Sequence, residues 1–148
     1  MRKYQMGLDM VRCDLRIINE YGFKEIESGI MIPVMSLKIH RKGMNRSIVT
    51  DAIIDTGYEK GLLLSRDIRD LLFVIGDPDR QDLLGSGNIE IPCDVFLVRV
   101  KIFDRWLLTE GFAPKDEGFE TIIGTELLKL ANVCIRGPEK IIYIADVQ

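Results

Sequence analysis

The chain has 148 residues, 47% hydrophobic and 29% charged, which suits one ordinary globular core and is too short for two. Its 20 basic and 23 acidic residues are interspersed, with a net charge of -3, so no single-sign field points to nucleic acid. Three well-separated cysteines, Cys13, Cys93 and Cys134, and the lone His40 supply neither a disulfide framework nor a ligand set for structural zinc.

The first residues begin basic, but Asp9 interrupts them before any sustained apolar run, so no signal peptide is expected. The longest apolar stretch, around Ile30–Leu37, is broken by Pro33 and falls short of the roughly 20 residues of a membrane span. The expectation is a cytoplasmic protein with free thiols and no membrane partner.

Along the chain, apolar residues recur mostly with period two. Val11, Cys13, Leu15 and Ile17 alternate with polar residues until "NEYG" breaks the run, while Leu8, Val11, Leu15 and Ile18 also fit a helical stripe over 7–18. "FKEIE", "GIMIPVMSLKIH" and "RSIVTDAIID" read as further strands, the last two joined by a hairpin at "RKGMN". The basic residues there, Lys38, His40, Arg41, Lys42 and Arg46, read as a solvated hairpin end.

"LLL" at 62–64 reads as a short buried strand, and Ser65 as the cap of a helix with Ile68, Leu71, Leu72 and Ile75 on its apolar face, closed by Gly76 and Pro78. After the polar "GDPDRQD", "LLGSGNIEIP" reads as two strand ends around a glycine-rich tip. "CDVFLVRVKIF" and "RWLLTEGFA" follow as a strand pair with Asp104 near the turn. Ile122, Ile123 and Gly124 then lead into a short helix capped by Thr125, and a hairpin turning at Gly137 and Pro138 ends the chain. The count is mostly β with two short helices.

Several motifs resolve into ordinary structure. "GSGNIE" lacks the third glycine of a dinucleotide loop, Ser86 is not in a G-x-S-x-G elbow, and one His cannot serve a Ser or Cys nucleophile without a suggested partner. An Asp-Thr-Gly is ordinary turn chemistry by itself, since Asp accepts local N–H bonds and Gly takes positive φ. At Asp55, Thr56 and Gly57 it stands between an apolar strand and an apolar strand–helix pair, with the apolar-apolar-Gly element Ile122–Gly124 downstream.

That combination resembles the retropepsin-like, single-lobe aspartic proteases of the pepsin clan, from about residue 29 to the C-terminus. In the resemblance "AIIDTG" is the active-site loop, "LLGSGNIEIP" the flap and "TIIGTELL" the element packed around the loop; residues 1–28 stand outside it as an N-terminal extension, a strand, hairpin or arm. The implied fold is a mostly β, closed-barrel-like lobe with one or two short helices. With a single Asp-Thr-Gly, the implied active form is a homodimer in which each chain gives one Asp55.

The resemblance implies hydrolysis of an extended peptide or protein substrate by a water held between two aspartates sharing a proton, with no metal and no organic cofactor. Thr56 would bond across the dimer axis and Gly57 would let the backbone approach. Ile53, Tyr58, Gly85, Ser86, Gly87, Asn88, Ile89 and Ile123 would line the substrate site, with a preference for apolar residues beside the scissile bond. The departure is Tyr58, where the family usually carries Ala or Ser: its ring either points into the groove or alters the surroundings of the carboxylate. The alternative reading is a catalytically silent dimer that binds peptide or protein.

Overall fold

The structure is a computed structural model that describes residues 15–116 and 118–147. The strands are β1 (Leu15–Glu25), β2 (Met31–His40), β3 (Ile48–Ile54), β4 (Leu62–Leu63), β5 (Arg80–Ser86), β6 (Ile89–Ile102), β7 (Arg105–Pro114), β8 (Ile122–Ile123), β9 (Asn132–Arg136) and β10 (Ile141–Val147). Two helices, α1 (Arg66–Ile75) and α2 (Thr125–Leu128), follow β4 and β8. The mostly β reading with two short helices therefore holds among the described residues.

All ten strands join in the order β5-β6-β7-β4-β8-β3-β2-β1-β10-β9, and a further pairing of β6 with β2 closes the middle of the sheet into a ring. Lys38, Ile39 and His40 of β2 face Lys101, Val100 and Arg99 of β6 at that closure. Strand alternation sends Met35, Leu37 and Ile39, Ala52 and Ile54, and Val98, Val100 and Ile102 to the interior, where they form the main core with Leu72, Phe96 and Ile123.

Turn chemistry sets the hairpins. Phe103 and Asp104 both adopt positive φ, 54° and 61°, between the paired residues Ile102 and Arg105, the geometry of a two-residue type I′ turn. At the other end of β6, Gly87 has φ 64° between the paired residues Ser86 and Ile89, where a side chain would be strained.

Some expectations are corrected. Strand β1 runs on through "NEYG" to Glu25, because β10 and then β2 pair along it and a register shift between Ile17 and Asn19 absorbs the irregularity. From Leu15 onward the helical alternative fails; Val11 and Cys13 lie outside the described residues. Ile26 leaves the expected "FKEIE" strand for a turn in which the Gly29 N–H donates to its carbonyl at 2.8 Å. Strand β5 begins inside the polar "GDPDRQD", where an edge strand tolerates Arg80 and Asp82 and their exposed ion pair at 2.5 Å.

On α1, Ile68 and Leu72 are buried as expected, but Leu71 and Ile75 are exposed, and Phe73 turns inward instead to meet Phe96 edge-on with ring centroids 5.6 Å apart. Ser65 holds the cap position without a side-chain cap bond. Arg41 is not a solvated hairpin residue. Its guanidinium donates to the carbonyls of Leu72 and Gly76 at the end of α1, at 3.2 and 2.8 Å, and lies 4.8 Å from the Phe96 ring centre. A cation there satisfies orphan carbonyls and complements the helix dipole.

Candidate active site

Asp55 leaves the end of β3, and the way the chain returns explains its position. Strand β8 pairs in parallel with β3 on one side and antiparallel with β4 on the other, so it lies between the two ends of the loop 55–61. The Asp55 N–H donates to the Ile123 carbonyl at 3.0 Å, and the Gly124 N–H donates to the Gly61 carbonyl at 2.9 Å. Ile53 N–H completes the seam to the Thr121 carbonyl at 2.9 Å.

The loop folds tightly on the carboxylate. Gly57 N–H donates to Asp55 Oδ1 at 2.8 Å, and Tyr58 N–H reaches the Asp55 carbonyl at 3.2 Å. A Cβ at Gly57 would stand 3.1 Å from that same Oδ1, so glycine matters here for space. Asp55 is half-buried, Thr56 and Gly57 are exposed, and the Thr56 hydroxyl has no bond among the described residues.

Two downstream residues that the sequence reading left out of the site hold this loop. The Thr125 N–H and hydroxyl both donate to the Tyr58 carbonyl, at 2.8 and 3.2 Å, and the hydroxyl lies 3.3 Å from the Glu59 carbonyl. Thr125 is thus the first residue of α2, with Gly124 at the cap position in place of the expected Thr125. A Cβ on Gly124 would come within 2.1 Å of the Lys60 carbonyl oxygen and 2.5 Å of that of Tyr58, which leaves glycine as the residue that fits. The signal for both was in "TIIGTELL", but it named an element and not its contacts.

The ring of Tyr58 turns inward. It packs against a second apolar cluster built on Leu63, Cys93, Val95 and Phe112, which Leu84, Ile91, Phe119 and Ile122 also join. Its hydroxyl lies 3.5 Å from the Leu62 carbonyl, at the outer limit of a hydrogen bond. Burial, with smaller contributions from Cys93 and Glu126, pushes the phenol well above its ordinary range. Leu84 and Ile91 belong to β5 and β6, so Tyr58 joins the Asp55 loop to the base of the glycine-tipped hairpin.

At the tip of that hairpin Gly85, Gly87 and Asn88 are exposed, Ser86 pairs with Ile89, and the Ile89 side chain is 67% exposed. Ile123, read as lining the site, is fully buried in the main core beneath the loop, while Ile53 is half-buried. A groove of about 770 Å³ runs beside Ile53, floored also by Ile32 and Val34. It shares Lys24, Asp51, Gly118, Glu120 and Thr121 with a neighbouring concavity of about 1010 Å³ that reaches the start of α1. Asp55 lines neither; it sits at the end of the strand that forms their wall.

The hairpin and α1 are joined by a buried ion pair. Arg69 Nε donates to Asp94 Oδ2 at 2.8 Å, and Gln81 Nε2 donates to Asp94 Oδ1 at 3.2 Å. No helix among the described residues is long and apolar enough to cross a membrane. Cys93 and Cys134 are free thiols.

No protein-family model matches the sequence, and no curated protein does. Solved structures do. The chain is similar to a retropepsin-like aspartic protease from Rickettsia conorii, with a TM-score of 0.59 and 12% identity over 88% of this chain and 93% of that one. It is also similar to the retroviral protease-like domain of Ddi1 from Leishmania major, with a TM-score of 0.48 and 15% identity over 75% of this chain and 91% of that one. With β8 set between β3 and β4 behind the Asp-Thr-Gly, and with the Rickettsia structure superposing over most of its length, the chain has the retropepsin-like fold.

Proposed function

We propose that this chain is an aspartic endopeptidase acting as a homodimer, with one Asp55 from each subunit at the shared site. The observation that carries the reading is the Asp55 loop itself, clamped on both sides by Thr121–Thr125 while its carboxylate stays half-exposed at the surface. Exposed Thr56 and Gly57, and a Thr56 hydroxyl without a bond among the described residues, support a loop that completes its bonding against a second copy.

In the dimer the two carboxylates share one proton, because like charges about 3 Å apart do not both ionise readily. The ionised one takes a proton from a water held between them, and the protonated one donates to the carbonyl oxygen of the peptide bond. An extended peptide lies along the Ile53 groove beneath the two hairpins, whose tips Gly85–Ile89 close over it. This chemistry calls on no metal or organic cofactor.

The test is incubation of the protein with an unfolded protein mixture from acid to neutral pH, beside an Asp55→Asn control. Cleavage by the wild type and none by the control is expected; cleavage that persists in the control removes Asp55 from the mechanism. Sedimentation at the assay concentration must show a dimer, since a monomer that still cleaves contradicts a shared site.

A further inference from the structure

The groove beside Ile53 is apolar at its floor and acidic at its rim. Val34 and Ile53 face each other in register on β2 and β3, and Ile32 stands two residues along from Val34 on the same face. Around them stand four carboxylates. Glu25 comes from the end of β1, Glu27 from the β1–β2 turn, Asp51 from β3 two residues before Ile53, and Glu120 from the loop entering β8.

None of these four side chains has a hydrogen bond or ion pair among the described residues, and Lys24 is the one basic residue of the groove wall. No group of three or more His, Cys, Asp or Glu among the described residues is disposed to hold a metal ion, so the carboxylates are spread along the rim and do not converge on one point. Other acidic groups do have partners, as Asp94 does with Arg69 and Glu110 does with Arg80. Along this rim four carboxylates stand beside apolar surface with Lys24 alone to offset them within the groove.

We propose that this groove selects a substrate side chain with an apolar stem and a positively charged end, lysine or arginine, in the segment flanking the scissile bond. The stem covers Ile32, Val34 and Ile53 while the cation reaches Glu27, Asp51 or Glu120; long basic side chains divide between apolar and charged surroundings in this way. The inference rests on the reading that an extended peptide lies beside Asp55. It narrows the expected preference for apolar residues: aliphatic surface is recognised, but with a charge at its end.

The test uses short fluorescent peptides with a Val-Phe-Xaa-Phe-Val core in which Xaa is Lys, Arg, norleucine or Glu. Their affinities are measured at neutral pH and low salt on dimeric Asp55→Asn protein, and their cleavage is followed with the wild type. Lys and Arg are expected to bind roughly three- to tenfold more tightly than norleucine, the gain that one or two partly exposed ion pairs supply, with Glu weakest. A paired Glu27→Lys and Glu120→Lys variant, both changes at exposed positions, should move the preference to the Glu peptide without altering thermal stability.

Equal affinities across the series, or an order that survives the double reversal, overturn the inference. The two readings fail separately. Asp55-dependent cleavage without a charge preference leaves the peptidase standing and removes the selective groove, whereas selective binding without cleavage does the reverse.

Discussion

The hydroxyl of Thr125 lies 3.2 Å from the carbonyl oxygen of Tyr58, and through that contact the first turn of α2 steadies the loop that begins at Asp55. Replacing Thr125 with Val keeps the shape and the N–H bond but removes the hydroxyl's bonds to Tyr58 and Glu59. A loss of about 1 kcal/mol is expected, the usual net value of such a bond. Urea unfolding measures the stability, and kcat should fall more than KM rises if the loop geometry and not substrate contact is affected.

Tyr58 is a packing residue in this structure, and its variants should sort accordingly. Tyr58→Phe keeps the ring and gives up a hydroxyl contact already 3.5 Å long, so stability and turnover should stay near wild type. Tyr58→Ala opens a void beside Leu63, Cys93 and Phe112 and should cost about 2–3 kcal/mol, below the full value for a completely buried aromatic ring. Turnover should fall with it, because the cluster that Tyr58 packs against also supports Leu84 and Ile91 at the base of the hairpin. A fully active, fully stable Tyr58→Ala variant contradicts this role.

Alkaline pH should destabilise the fold in two separable steps. Burial, with Asp94 and Asp82 adding, pushes the Cys93 thiol up to about 11 from 9.0, and the Tyr58 phenol stands above its ordinary 10.0. Both groups hold their protons more tightly folded than unfolded, so their contribution is complete below the unfolded values and is lost as pH rises through the folded ones. Urea midpoints should therefore decline from about pH 9 upward, and Cys93→Ala should remove the first part of the decline. Alkylation near neutral pH should modify half-buried Cys134 well before Cys93.

Asp94 is 1% exposed and its partner Arg69 18%. Truncating one member of such a pair strands the other, so Arg69→Met should cost about 3 kcal/mol, whereas changing both Arg69→Met and Asp94→Leu should recover much of it. Because the pair joins α1 to the β5–β6 hairpin, hydrogen exchange should rise first in those elements. Uniform loss across the molecule would assign the pair no local role.

Arg41 supplies a further check on helix termination. Arg41→Met retains the stem over Phe96 but frees the carbonyls of Leu72 and Gly76, and a loss of about 1–2 kcal/mol is expected, with fraying confined to the end of α1.

What was legible in the sequence is what depends on neighbours along the chain. The alternation of Met35, Leu37 and Ile39, the glycine at position 87 and the polar turn at Asp104 each state their own local geometry, and the strands and hairpins follow. What depends on a distant partner was not legible. "NEYG" reads as a break until β10 and β2 lie along it, Arg41 reads as solvated until the end of α1 arrives beside it, and Asp94 shows no sign of Arg69. The direction of the Tyr58 ring belongs to the same class, since it is set by Cys93, Val95 and Phe112, far along the chain.

The placement of β8 between β3 and β4 has a consequence for the order of events during synthesis. Among the described residues the backbone partners that clamp the Asp55 loop come from Thr121–Thr125, so a growing chain that has already emerged past Asp55 carries the aspartate on an unclosed segment. N-terminal parts generally organise first as a chain is made, and long-range closures come late. The loop acquires its shape only once Thr121–Thr125 has been made, and until then a nascent chain carries the aspartate without a finished site.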